Sequence, residues 1–352
     1  MSALAYASSF GIAALSVLVL VLGRDMLVPL AIAIVIWYLI NALSDALRKI
    51  SISGRRLPAK LSFALSLVIM IIALAGISEM ISQNIAAVRD AAPTYQENFQ
   101  VLAHRLLLFL GFDSQLNFAQ LIDQIDVAPF ITNIASTLAN IAGNAGLIII
   151  YVLFLILEQN SFDHKLQALF PDSERLKTVR ELLADIGEKI EVYVWIKTLV
   201  SILTGVVAYT ILKMVGVDYA SFWAFITFLL NFIPTVGSML AVIFPAILSL
   251  VQFDTLTPFF IVLICLSSIQ FVIGNVLEPR LMGNSLNLSP LVVILSLVLW
   301  GNIWGIVGMF LSVPVTVILM IVMAHFPRTR PFAILLSQDG LVKSIPIDQV
   351  KK

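Results

Sequence analysis

Three groups of polar residues lie inside long apolar runs of this chain, and they are where chemistry is available. Lys197, Ser201 and Thr204 are spaced by four and three, with Gly205 beside them, and share one helix face. Ser267, Gln270, Gly274 and Glu278 recur at three, four and four, making a polar stripe down another helix with Asn275 beside it. The third group comprises two breaks. Leu230-Asn231-Phe232-Ile233-Pro234-Thr235-Val236-Gly237-Ser238 cuts the run 220–251 with residues that do not continue a helix cleanly. Trp300-Gly301-Asn302-Ile303-Trp304-Gly305, with Gly308 downstream, does the same to the next run. Asn231, Thr235, Ser238, Gln270, Asn275 and Asn302 offer neutral hydrogen-bond partners. Glu278 is a titratable carboxylate, and Lys197 balances it or receives an anionic group. Ionisable residues at membrane depth are costly and usually mark ion or solute paths. Plainer readings stand beside these. A lysine at a helix end snorkels to the headgroups, Ser and Thr serve helix packing, and Glu278 and Arg280 pair with each other or with headgroups.

The two breaks resemble each other. Asn231 to Gly237 and Asn302 to Gly308 both read Asn, five residues, Gly, with Val before the Gly, and each precedes an apolar run that reaches a proline, Pro245 or Pro314. Backbone freed at membrane depth must be buried in protein or line a wet cavity. Two geometries fit the first break, a re-entrant hairpin or one broken helix, and the hairpin is favoured. Paired interrupted segments point to a transporter's binding site, with Pro234, Thr235, Gly237 and Ser238 at one tip and Asn302, Gly305 and Gly308 at the other. Gly301 and Gly305 also have the small-xxx-small spacing that lets helices approach closely.

The elements that must position these residues are membrane helices. Of 352 residues, 60% are hydrophobic and only 12% charged, and mean hydropathy is +1.02. A soluble domain is about a quarter charged. Apolar segments cover roughly 10–22, 26–43, 61–81, 143–157, 196–215, 220–251, 256–277, 289–300 and 303–324, several near the ~20 residues that a spanning helix needs. The expected fold is all-α: a polytopic helical membrane protein with about eight transmembrane segments, including broken or re-entrant hairpins. The expected organisation is N-terminal transmembrane helices over 1–81, an external amphipathic helical region over 82–142, a transmembrane helix over 143–157, a cytoplasmic amphipathic helix over 158–195, a C-terminal transport core over 196–324 and a tail over 325–352. Lys and Arg gather in 44–60, in 158–197 and in the tail. The positive-inside rule makes these cytoplasmic, places 82–142 outside and leaves both termini inside.

Net charge is zero, so nothing points to nucleic acid as a partner. Cys265 is the only cysteine, and His104, His164 and His325 lie in three separate regions, so neither a disulfide within the chain nor a metal site is expected. The sequence contains no Walker-type phosphate loop, no Gly-x-Ser-x-Gly and no His-Glu-x-x-His. We therefore expect no catalytic residues, no cofactor and no ATP hydrolysis. A non-transporting scaffold is the alternative of another class. It predicts that altering the two breaks has no solute-dependent effect.

Asn231-Phe232-Ile233-Pro234-Thr235-Val236-Gly237-Ser238 resembles a signature of the autoinducer-2 exporter (AI-2E) transporter family, a group of UPF0118-type membrane proteins. Similar too are Glu278-Pro279-Arg280-Leu281-Met282-Gly283, Leu288-Ser289-Pro290-Leu291-Val292-Val293, Trp300-Gly301 through Gly308, Leu311-Ser312-Val313-Pro314, and upstream Lys197-Thr198-Leu199-Val200-Ser201 with Thr204-Gly205. The resemblance implies a bacterial inner-membrane protein with about eight transmembrane segments, associating as a homo-oligomer, with pentamers expected. It also implies export of a small polar signal such as autoinducer-2 or, in other members, exchange of sodium or lithium for protons. The implied partners are the lipid bilayer, a small polar solute and a coupling cation or proton.

Overall fold

The computed structural model of the chain describes residues 3–49, 51–52, 55–77, 79–80, 93, 97, 100–101, 136, 143–253, 255–283 and 286–342. The external region expected over 82–142 therefore lies almost wholly outside the described residues, as does the tail beyond 342. The described chain is mainly helical, and it carries one small hairpin that the sequence reading does not anticipate. Within the basic segment after the second helix, Ser51–Ile52 (β1) and Arg55–Arg56 (β2) pair antiparallel. The helices are α1 (Ala3–Leu22), α2 (Arg24–Lys49), α3 (Ala59–Ile77), α4 (Ala145–Leu169), α5 (Ser173–Val215), α6 (Ala220–Leu230), α7 (Val236–Gln252), α8 (Thr257–Val272), α9 (Glu278–Met282), α10 (Pro290–His325) and α11 (Arg330–Leu336). A π turn, Ile273–Leu277, joins α8 to α9.

Five helical segments among the described residues are long and apolar enough to cross a membrane, or six if α4, bent by 64°, counts as one span. The shorter apolar helices α6 and α7 stand beside them, so the count is loosely in keeping with about eight. Many large apolar side chains on the described helices face outward, among them Val19 and Leu22 of α1 and Ile72, Phe154, Ile264, Ile294 and Leu299. In water such a surface would be prohibitive, and in lipid it is the ordinary exterior.

The chain divides into two compact units. Residues 1–67, 144–196 and 282–352 form one, and 68–143 with 197–281 form the other. The 43-residue α5 is continuous through the boundary expected near residue 195. In the first unit, α1 and α2 meet at Gly23, where an added Cβ would stand 2.8 Å from the Val19 carbonyl oxygen. Helix α2 buries Ala33, Ile36 and Ile40, spaced by three and four as an inward stripe requires. Its Trp37 Nε1 donates to Gln159 Oε1 of α4 at 3.2 Å. The core joins Ile190, Tyr193 and Val194 of α5 to Val313, Val317, Met320, Ile321 and Ala324 of α10, closed by Leu288 and by Ala333 of α11. In the second unit, α6 packs on α7 and α7 on α8, with Phe222, Ile226, Ala241, Ala246, Val262 and Leu266 buried.

Candidate functional site

Both sequence breaks fold as helical hairpins. In the second unit, Thr235 adopts a left-handed φ of 58° between α6 and α7. The arms then run back alongside each other. Thr227 Oγ1 donates to the Ala241 carbonyl at 3.5 Å, and Trp223 stacks on Phe244 with ring centroids 6.2 Å apart. Residues 14 apart in one continuous helix would be separated by about 21 Å along its axis. In the first unit, α10 reverses at Gly305 (φ 63°, ψ −141°), and Trp300 Nε1 donates to Thr316 Oγ1, 16 residues on, at 3.3 Å. The 36-residue α10 is thus a folded pair of arms, not one crossing.

A glycine closes each hairpin. A Cβ on Gly237 would lie 1.8 Å from the Leu230 carbonyl oxygen, and one on Gly308 would lie 1.8 Å from that of Trp300. Only a residue without a side chain permits such approach. The glycines therefore correspond, as the pairing of the two breaks has them, but the asparagines do not. Asn231 follows the contacted carbonyl by one residue and Asn302 by two, because the second reversal is one residue longer. Asn231 is buried and its Nδ2 donates to Ser201 Oγ at 2.9 Å, whereas Asn302 is exposed and bonds back to the Val298 carbonyl at 2.8 Å. The small-residue pair also divides. Gly301 is packed, with its would-be Cβ 3.0 Å from Met309, while nothing lies within 4 Å of Gly305. Gly305 serves the turn, not packing.

The second unit gathers the buried polar residues. Its part of α5 packs against α6 at Gly205, where a Cβ would come within 3.1 Å of Phe228 Cβ and 3.2 Å of the Ala224 carbonyl oxygen. This close approach brings Ser201, one turn earlier, to Asn231. A further turn back, Lys197 Nζ meets Glu278 Oε1 at 2.5 Å, the two side chains being only 5% and 20% exposed. A charged pair in such surroundings is a large electrostatic commitment, since each ion loses hydration that only its partner and nearby dipoles replace. Thr204 is buried with its hydroxyl returned to the Val200 carbonyl. Gln270 is buried on α8 between Leu266 and Ile273, and among the described residues neither polar atom of its side chain has a partner. An unsatisfied buried amide costs roughly 1–3 kcal/mol.

The other candidates are placed differently. Gly274, Thr235 and Arg280 are exposed, and the ion partner of Glu278 is Lys197 instead of Arg280. Ser238 is partly buried and caps the Thr235 carbonyl at 2.8 Å. Asn275 donates its side-chain amide to the Phe271 carbonyl at 3.2 Å. Two features escape the sequence reading. Thr316 holds the second hairpin through Trp300, and its only signal is its place four residues after Ser312. The π turn before Glu278 is signalled only by Pro279.

Residues 10–328 match the profile described as AI-2E family transporter. The chain is similar to "AI-2 transport protein TqsA" of Escherichia coli (strain K12), at 30% identity over 320 residues and 90% of each chain. It is also similar to a "Putative transport protein" of Haemophilus influenzae, at 28% over 325 residues, covering 90% of this chain and 91% of that one. A "Putative transport protein" of Borreliella burgdorferi shares 34% over 220 residues, 62% of this chain and 60% of that one.

Proposed function

This chain belongs to the AI-2E family of membrane transporters, and from that premise we propose that it is a secondary transporter exporting a small polar solute such as autoinducer-2. The observation that carries the reading is the buried polar line of the second unit: Glu278 with Lys197, Ser201 with Asn231, and the unpartnered amide of Gln270. An apolar unit has no structural need for so many buried polar groups, and each is stable only when hydrogen-bonded. A polar solute in transit needs the same kind of partners. The name carried by the relative from Escherichia coli supports autoinducer-2 as the first solute to try. The tip from Asn302 to Gly308 in the first unit is a separate candidate for contact with solute, on its sequence break and re-entrant fold alone. By the same reading the protein resides in the bacterial inner membrane with both termini cytoplasmic, which the distribution of Lys and Arg supports. It works as a homo-oligomer, with five subunits the expected number from the family resemblance.

Asn231→Leu tests the site. It keeps the apolar pattern and removes the amide that meets Ser201, so autoinducer-2 efflux from proteoliposomes should fall at least about tenfold, the loss of one buried hydrogen bond to a reacting or moving group, while membrane insertion stays at the parental level. Undiminished efflux of this solute and undiminished sodium exchange together would remove the reason for placing the path there, and would favour a scaffold.

A second reading, sodium (or lithium)/proton antiport, is favoured by one observation: Glu278 is a carboxylate held in a largely buried ion pair. Glu278→Gln separates the two. It preserves shape and removes the titratable group, so an antiporter should lose sodium exchange driven by a pH gradient, while a carrier of neutral solutes should keep much of its rate. Full exchange in the variant would exclude Glu278 as the coupling carboxylate.

A further inference from the structure

The helix that carries Glu278 is not a simple α-helix, and the departure falls immediately before the carboxylate. Residues Ile273–Leu277 form a π turn, and the Glu278 amide donates to the carbonyl of Ile273, five residues back. The next residue is Pro279. Proline has no N–H to give, and in an α-helix its ring would strike the carbonyl four residues earlier, that of Asn275. Widening the preceding turn relieves that contact. Asn275 lies within the widened turn and straps it, its side-chain amide donating to the Phe271 carbonyl at 3.2 Å. Such back-bonding bends helices.

The consequence is angular. An α-helix advances about 100° per residue, so in an uninterrupted helix Glu278, eight residues after Gln270, would stand roughly 80° around from it. A π turn takes up one extra residue, which sets everything beyond it back by about one residue, ~100°. Glu278 then stands within about 20° of Gln270. That is the face on which α8 buries Val262, Leu266 and Gln270. On this face the carboxylate meets Lys197, and off it the carboxylate would turn toward the exposed side occupied by Phe271, Val272 and Val276.

We infer that the π turn, imposed by Pro279 and strapped by Asn275, is the device that aims Glu278 at Lys197, and that Pro279 and Asn275 are positioning residues. The inference rests on reading the Lys197–Glu278 pair as part of the transport site. It removes Asn275 from the residues expected to face solute and gives it a role exercised through Glu278.

The test reads geometry, so that it stands apart from any transported solute. Lys197→Cys and Glu278→Cys are combined in the full-length chain with Cys265→Ser. Membranes are treated with a short bifunctional methanethiosulfonate, and the linked peptides are quantified by mass spectrometry. One variant adds Pro279→Ala and removes Val276, leaving a helix that is α throughout and has lost the extra residue. Glu278 should keep its face, and linking should stay within about twofold of the parent, because the deletion takes out the same ~100° that the π turn absorbs. A second variant inserts one alanine between Val276 and Leu277. Linking at Glu278→Cys should fall at least about tenfold, because ~100° of rotation carries it off the face, and should reappear when Leu277→Cys replaces it. The inference is overturned if the deletion abolishes linking or prevents assembly, because a continuous α-helix is the ordinary conformation. It is equally overturned if the insertion leaves linking at Glu278→Cys intact or abolishes it at both positions. If the parent moves neither autoinducer-2 nor sodium, the reading of the site fails while the linking pattern still decides the turn.

Discussion

Lys197→Met is expected to abolish transport and to destabilise the protein, the larger of the effects being that on transport. Removing one member of a buried ion pair leaves the other without compensation, which costs about 3–5 kcal/mol when both are fully buried. Glu278 keeps 20% side-chain exposure, so the lower end of that range applies. The loss should appear as a fall in the temperature at which the detergent-solubilised protein leaves its size-exclusion peak. The double variant, Lys197→Met with Glu278→Met, removes both charges and leaves no amide unpaired, so it should recover most of that temperature, since replacing a whole buried pair by apolar groups of similar volume is often harmless to stability. Autoinducer-2 efflux should stay lost in both, because both lack the Lys197 ammonium that meets the solute. The recovery of stability without recovery of transport is what distinguishes a working pair from a structural one. A single variant that melts like the parent would show that the pair carries no net stability. A double variant that transports normally would show that it carries no function.

The extent to which this site is legible in the sequence differs from residue to residue. Lys197, Ser201 and Gly205 announce themselves because a period near 3.6 is fixed by backbone geometry, and any polar residue that interrupts it inside an apolar run stands out. Glu278 is conspicuous for the same reason. That Lys197 meets Glu278, 81 residues away, is a tertiary fact. Local pattern offers both residues as charges in need of partners but leaves Arg280 as an equally good candidate. The hairpins are half visible. Asn, Pro and Gly mark where a helix must stop, yet whether the chain then reverses depends on whether a carbonyl can seat against a glycine a short way downstream. The contact at Gly237 and its counterpart at Gly308 make that decision. The π turn is hidden because counting by three and four presumes an uninterrupted helix. The spacing from Gln270 to Glu278 puts them on one face only loosely, and it is the extra residue absorbed before Pro279 that aligns them.

The hairpin glycines carry the second large effect, and a comparison of three substitutions isolates its cause. Gly237→Ala and Gly308→Ala each place a methyl group 1.8 Å from a backbone carbonyl oxygen. A side chain could move aside, but a carbonyl at the end of a helical arm cannot move without separating the arms. The cost exceeds the ~1–3 kcal/mol of ordinary overpacking. Gly305→Ala meets no atom within 4 Å, and its penalty comes only from the backbone, with φ at 63° and ψ at −141°, a conformation that costs a residue with a side chain roughly 1–3 kcal/mol. The expected order of thermal stability in detergent is therefore parent, then Gly305→Ala, then Gly308→Ala and Gly237→Ala. The two closing glycines should also differ from Gly305 in how far damage spreads. Parting the arms at Gly308 breaks the Trp300–Thr316 hydrogen bond, so Trp300 should gain access to an aqueous quencher such as iodide or acrylamide. For a single-tryptophan readout, Trp37, Trp195, Trp223 and Trp304 are first replaced by phenylalanine. Quenching of Trp300 should rise severalfold in Gly308→Ala and change little in Gly305→Ala. Equal stability of Gly308→Ala and Gly305→Ala, or unchanged quenching in Gly308→Ala, would mean that the arms are not held by this contact and that α10 does not depend on it to stay folded back.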